Sequence, residues 1–135
     1  MSLQLEIVTP EKKVFSDEVD SVVIPGIEGD FNILTLHTPL VTIITPGELT
    51  YTKAGASESL AIGEGFIETS GDTVSVVVDT ALGESEIDEN AVEEALKRAQ
   101  DALADTSEDD ENFAALQALI AKSFAQLEFK RRRRP

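Results

Sequence analysis

All eight glycines of this chain and four of its five prolines lie before residue 84, and alanine takes over beyond it. Glycine and proline punctuate short strands and turns, whereas alanine is the best helix former. The apolar period changes at the same place, from 2 before the break to 3.6 after it. The break therefore predicts an α+β fold in two parts. Residues 1–84 form an N-terminal two-sheet β-sandwich, and residues 85–135 form a C-terminal antiparallel α-helical hairpin. A chain of 135 residues has room for a packed core without covalent staples.

In the first part, Leu3-Gln4-Leu5-Glu6-Ile7-Val8 alternates apolar and polar residues, as a half-buried strand does. Further strand signals fall at Val14–Ser16, Ser21–Ile24 (ended by Pro25-Gly26), Phe31–Leu34, Leu40–Ile44, Glu48–Thr52 and Ser59–Ile62. Ala54-Gly55-Ala56 reads as a hairpin connection. Ser70-Gly71-Asp72 is a strong hairpin signal between Gly65–Thr69 and Thr73–Val78. Turn signals every ~8–12 residues predict two packed sheets.

The second part opens at Ser85, which with Asp88 resembles a capping box. A helix then runs to about Ala104, with Ile87, Ala91, Val92, Ala95, Leu96, Ala99 and Leu103 on one stripe. Glu93–Lys97 and Glu94–Arg98 stand at the favourable i,i+4 spacing. Thr106 or Ser107 is the candidate cap of a second helix, whose first turn would be the acidic run Glu108–Glu111. Its main stripe is Phe113, Leu116, Ile120, Phe124 and Leu127, widened by Ala115, Ala118 and Leu119. Alanine contacts bury little area, so this hairpin is expected to be intrinsically helical but weakly docked, as a movable element would be.

Charge and composition exclude several functions. A net charge of −15 repels nucleic acid and anionic membranes. Without cysteine and with one histidine, the chain has no thiolate chemistry and no ordinary zinc site, so no metal is expected. Gly63-Glu64-Gly65 precedes a strand rather than a helix, so it offers no phosphate cradle. His37 lacks a Gly-x-Ser-x-Gly partner, which argues against a hydrolase. No catalytic residue and no cofactor are expected. The N-terminus lacks a basic n-region and an apolar h-region, so no signal peptide is expected. Against the acidic body stands a basic tip, Lys130, Arg131, Arg132, Arg133 and Arg134, which carries five of the 11 basic residues. The plain reading is a solvated terminus; the alternative is a tail that meets an acidic partner or a phosphate.

Two motifs carry a resemblance. The first comprises Gly29, Asp30, Phe31, Ile33, Leu34, His37, Pro39 and Leu40, followed by Pro46-Gly47. The second is Gly65-Phe66-Ile67-Glu68, then Val74 to Val78 with Asp79 and Ala81. Both, with the alanine-rich hairpin, resemble the ε subunits of F-type ATP synthases along essentially the whole chain. Asn32 replaces the family's second glycine, and Leu36 replaces its usual proline before the histidine.

The resemblance implies a non-enzymatic rotor subunit that couples the γ subunit to the c-ring, peripheral to the plasma membrane on its cytoplasmic side. It implies that Gly29, Asp30, Phe31, His37 and Pro39 face the ring. It also implies that the helical hairpin extends toward the catalytic α and β subunits to inhibit ATP hydrolysis, with the basic tip meeting acidic surface there. Some members bind ATP on the folded hairpin. Here Ile87, Asp88 and Arg98 keep part of that motif, but Ala91 stands where its first arginine would be. A nucleotide-sensing module is therefore the alternative reading, with no ATP binding or only weak binding expected.

Overall fold

The computed structural model describes residues 3–27, 29–33 and 37–133. Among these, ten strands precede two helices: β1 (Leu3–Val8), β2 (Lys13–Val19), β3 (Ser21–Gly26), β4 (Gly29–Ile33), β5 (His37–Ile44), β6 (Gly47–Lys53), β7 (Ala56–Ile62), β8 (Gly65–Gly71), β9 (Thr73–Val78), β10 (Ala81–Leu82), α1 (Glu89–Ala104) and α2 (Phe113–Arg132). The alternation read from the sequence is realised in burial: Leu3, Leu5 and Ile7 of β1 and Val74, Val76 and Val78 of β9 face inward.

The strands form two groups, β10-β7-β6-β3 and β5-β8-β9-β1-β2, with β4 paired on β3. A single residue pair, Gly26 opposite Ile44, joins the groups. Between them lies one core that includes Leu5, Ile7, Val22, Ile24, Ile44, Leu49, Ile67 and Val76. The opposite side closes where β2 meets β6. There the Phe15 and Tyr51 rings lie 4.4 Å apart, Asp17 pairs with Lys53, and the Asp20 carboxylate accepts from the Ala54 N–H at 3.1 Å. The result is a sandwich with barrel-like closure, which leaves few open edges.

Both expected hairpins form. Lys53 pairs with Ala56 across a two-residue turn, and Ala54 and Gly55 both have positive φ, 53° and 81°. That is the turn geometry whose twist matches the flanking strands. Ser70 pairs with Thr73 around Gly71, whose φ is 63°. Gly65 is needed for a different reason: a Cβ there would lie 1.9 Å from the Val77 carbonyl oxygen. Pro25-Gly26 does not end β3, contrary to expectation. The ladder from β3 to β6 runs only from Ser21 to Val23, so the missing N–H of Pro25 falls beyond it.

Both helix starts differ from the sequence expectation. Ser85 does not cap. Residues Glu84–Glu86 form a 3₁₀ turn, closed by the Gly83 N–H donating to Glu86 Oε1 at 2.9 Å. Asp88 is the N-cap instead, and its Oδ1 accepts from the Ala91 N–H at 3.2 Å. In α2 neither Thr106 nor Ser107 is the cap, and Glu108–Glu111 is turn rather than first helical turn. Ser107 Oγ accepts from the Asp109 N–H at 3.3 Å, and Asp110 Oδ1 accepts from the Asn112 N–H at 2.8 Å. Such local side-chain bonds compete with helical ones.

Helix α2 rests on β6 and β7, and α1 packs on α2. Its stripe is also redrawn: Phe124 is 54% exposed, while Ser123, Leu127 and Phe129 are buried. A helix covered on one side by a sheet and on another by a helix does not bury a single stripe. Phe129, fully buried, sits with Ala61 of β7 and Ile87, flanked by Leu82 and Val92. The hairpin is thus seated by one large anchor besides its small residues, and that anchor contributes about 2–3 kcal/mol.

Candidate functional site

The β3–β4 hairpin presents the first candidate residues. Gly29 lies opposite Gly26, Asp30 opposite Pro25 and Phe31 opposite Ile24. Gly29 has φ +113° and Asp30 is exposed. Phe31 turns inward and packs against the core. An open groove of about 490 Å³ runs here, lined among others by Ile27, Gly29, Asp30, Phe31 and Leu40. Ile27 and Leu40 expose much of their surface, so the groove has an apolar lip beside one carboxylate. Pro39 is exposed. His37 begins β5 opposite Gly71. Its side chain, and residues Leu34 to Leu36 with the expected Leu36 departure, lie outside the described residues.

A second surface was not read from the sequence. On the outward face of the five-stranded group, Ile43 pairs with Phe66, Phe66 with Val77, and Val77 with Val8. Cross-strand neighbours on one face touch, so these four side chains make an apolar row across four strands. Ile43 is 57% and Phe66 42% exposed, and Val41, two residues from Ile43 on the same face, is also exposed. The signal was present in the sequence as apolar residues at the positions that alternate with the buried set.

The basic tip is the third site, and it is folded back on the molecule. Lys130 Nζ lies 3.5 Å from Glu84 Oε1 and donates to the Glu84 carbonyl at 2.9 Å. Arg131 pairs with Glu89 at 3.0 Å and with Glu93. Arg132 and Arg133 both reach Glu48 on β6, at 2.8 and 2.7 Å. The Arg133 guanidinium also lies 4.0 Å from the centre of the Phe129 ring. Partial burial pushes the Glu48 carboxyl up, but the hydrogen bond and charge of Arg133, with help from Ser59 and Arg132, outweigh it and hold the group below its ordinary value. The hydrogen bonds that Arg131 donates to Glu89 and Glu93 raise its pKa further. Arg134 lies outside the described residues. The expected pairs Glu93–Lys97 and Glu94–Arg98 are not among the ion pairs of the described residues; Glu93 serves Arg131 across the hairpin instead.

The tip and the β4 hairpin, remote in sequence, meet in space. A cavity of about 280 Å³ is lined by residues that include Pro25, Asp30, Pro46, Glu48, Glu128 and Arg132.

The ATP-motif remnant is not assembled. A cleft of about 300 Å³ between the helices is lined by Ile87, Asp88, Ala91, Lys122 and Gln126, among others. Ile87 is buried against Phe129, and the Asp88 carboxylate is used as a helix cap. Lys122, the cation of the cleft, is paired with Asp79 at 3.4 Å. Arg98 is exposed on α1 and is not among the lining residues. No group of three or more metal-ligating side chains occurs among the described residues.

The fold is thus a β-sandwich with barrel-like closure that carries a helical hairpin. Residues 2–84 match the family described as "ATP synthase, Delta/Epsilon chain, beta-sandwich domain". The ATP synthase epsilon chain of Anaeromyxobacter dehalogenans is 39% identical over 127 residues, which is 94% of this chain and 96% of that one. That of Herpetosiphon aurantiacus is 40% identical over 134 residues, 99% and 98% of the two chains. The chain therefore belongs to the ATP synthase delta/epsilon family. Its fold also matches a chain in the cryo-EM structure of the Euglena gracilis mitochondrial ATP synthase. The TM-score is 0.67 at 21% identity, covering 96% of this chain and 78% of that one. A chain of the Tetrahymena thermophila central stalk and c-ring matches with TM-score 0.60 at 12% identity, covering 96% and 97%.

Proposed function

We propose that this chain is a non-catalytic rotor subunit of the ATP synthase central stalk, which couples γ to the c-ring and restrains ATP hydrolysis through its C-terminal hairpin. The observation that carries this reading is the near-full-length likeness to bacterial ATP synthase epsilon chains, hairpin included. The geometry supplies a surface for each partner. The apolar row Ile43–Phe66–Val77–Val8 suits γ, because an exposed apolar strip on a sheet marks a protein interface. The groove beside Asp30 suits the polar loops of a ring, with Gly29 and Phe31 in its lining and His37 and Pro39 farther along the same β5 strand as Leu40. The basic tip suits acidic surface on the α and β subunits. No helix among the described residues is long and apolar enough to cross a membrane. In this reading the chain is held at the membrane through the complex, on its cytoplasmic side. Nucleotide sensing is disfavoured by the engaged Asp88 and Lys122.

The test is co-purification. Tagged full-length chain should bring γ and the catalytic subunits with it, and Ile43→Asp with Phe66→Asp should lose γ while the isolated chain stays folded. Retention of γ by that variant would remove the apolar row from the interface.

A further inference from the structure

The pair Gly26–Ile44 ties the two groups of strands together at one end of β5. From Ile44 back to Leu40, β5 has β8 along one side. Along the other side it has no strand of the described residues beyond that pair. Backbone groups of successive residues in an antiparallel strand point to opposite sides. The Thr45 N–H donates to the Pro25 carbonyl at 3.2 Å, away from β8. The N–H groups of Val41 and Ile43 therefore point to the bare side, and those of Thr42 and Ile44 to β8. Strand β4 does not fill the gap, because it pairs with β3 alone. The open groove of about 490 Å³ has Gly29, Asp30 and Phe31 on its β4 wall and Leu40 and Thr42 on its β5 wall. Exposed strand edges are ordinarily blunted by charge. The strand β2, at the end of its group, carries Lys13, Asp17 and Glu18, whereas Leu40-Val41-Thr42-Ile43-Ile44 carries no charge.

We propose that the bare edge of β5 is a strand acceptor. The partner that covers the apolar row adds to it an extended segment with apolar residues at alternate positions, as a further strand of the β5-β8-β9-β1-β2 group. This rests on the reading above that the row Ile43–Phe66–Val77–Val8 belongs to the γ interface. Ile43 ends that row, so the next place on the same face is the one an added strand occupies, about 4.8 Å further. A helix or loop laid on the row would bury the exposed Val41 and Ile43 side chains but leave their N–H groups without acceptors. An extended segment supplies both the acceptors and the apolar cover, because its main chain bonds to the edge while its side chains alternate. One set of side chains continues the row outside, and the other drops into the groove beside Leu40 and Thr42. Pro39 has no N–H and Ile44 is already paired with Gly26, so the acceptor stretch runs from Leu40 to Ile43. It takes a segment of about four residues.

The test is hydrogen exchange at single amides of the native full-length chain, alone and in complex with γ. Alone, Val41 and Ile43 should exchange about a hundredfold or more faster than Thr42 and Ile44, which face β8. In the complex they should slow to match them. Two variants separate main chain from side chain. Val41→Pro removes an edge donor, keeps the Thr42 and Ile44 bonds to β8, and suits a free strand edge. It should weaken γ binding about tenfold or more, the weight of a hydrogen bond whose partner is left unmet. Val41→Thr keeps the donor and should weaken binding about fourfold or less, the weight of one methyl group. Slow exchange of Val41 and Ile43 in the isolated chain overturns the bare edge, and slowing that grows with concentration assigns the edge to a second copy of the chain instead. Fast exchange that persists in the complex overturns strand addition, as does equal γ binding by Val41→Pro and the native chain. In both of those cases the native chain still binds γ, and the reading of the apolar row stands. A native chain that does not bind γ overturns both.

Discussion

Phe129→Ala isolates the attachment of the hairpin from the stability of the sandwich. The ring is fully buried between Ala61 of β7 and Ile87 of the connector, with Leu82 and Val92 at its edges. Phenylalanine to alanine in a sealed core costs about 3–5 kcal/mol because a cavity remains. Here the walls belong to two elements that can separate, so no cavity need persist and the transfer of the ring dominates, about 2–3 kcal/mol. Loss of the Arg133 contact over its face adds about 0.5–1 kcal/mol. The sum, about 3 kcal/mol, corresponds to a shift of more than a hundredfold in the opening equilibrium. It should fall on the hairpin alone, since the fifteen buried side chains of the sandwich core do not include Phe129. Hydrogen exchange of α2 amides should therefore accelerate more than a hundredfold in Phe129→Ala. Tyr51, the sole tyrosine, stacks on Phe15 at the far closure of the sandwich, and its near-ultraviolet dichroism should melt at nearly the native temperature. A joint drop of both signals would mean that the hairpin and sandwich unfold as one unit, and would refute the reasoning.

Three further outcomes follow from particular residues. Ala54 holds φ 53° in a turn that favours asparagine followed by glycine, so Ala54→Asn should raise stability by about 0.5–1 kcal/mol in urea unfolding; no gain would mean that the strain is offset elsewhere. Glu48 has a depressed folded pKa, so its contribution is present above its unfolded value, about 4.3, and is lost as pH falls through the folded one. Acid should then open the native hairpin more steeply than that of Glu48→Gln, as read by donor and acceptor dyes on Glu58→Cys and Gln117→Cys, both exposed, and identical acid profiles would contradict this. Calorimetry of the isolated chain with ATP should show no binding tighter than the millimolar range, because Asp88 and Lys122 are already engaged.

The sandwich was legible because its signals are local. Leu3, Leu5 and Ile7 alternate with Gln4 and Glu6, and Ser70-Gly71-Asp72 marks its own turn. The helix starts were less legible because several side chains compete for one N–H. Asp88 won the cap from Ser85, and Asp110 and Ser107 kept the acidic run out of α2. What could not be read were contacts between distant segments. Glu48 looks like any outward residue of an alternating strand, and Phe129 stands off the expected stripe. The basic run was visible as a charge, but its partners Glu48, Glu84, Glu89 and Glu93 are named only by the fold.

The central claim is that the sandwich attaches the chain to the rotor while the hairpin restrains hydrolysis. The direct measurement is ATPase activity of the complex assembled with the full chain or with a chain ending at Leu82. Both chains should co-purify with γ, and hydrolysis should be higher with the shortened one. Equal hydrolysis with both would contradict a restraining hairpin, and failure of either chain to bring γ would contradict the role assigned to the sandwich.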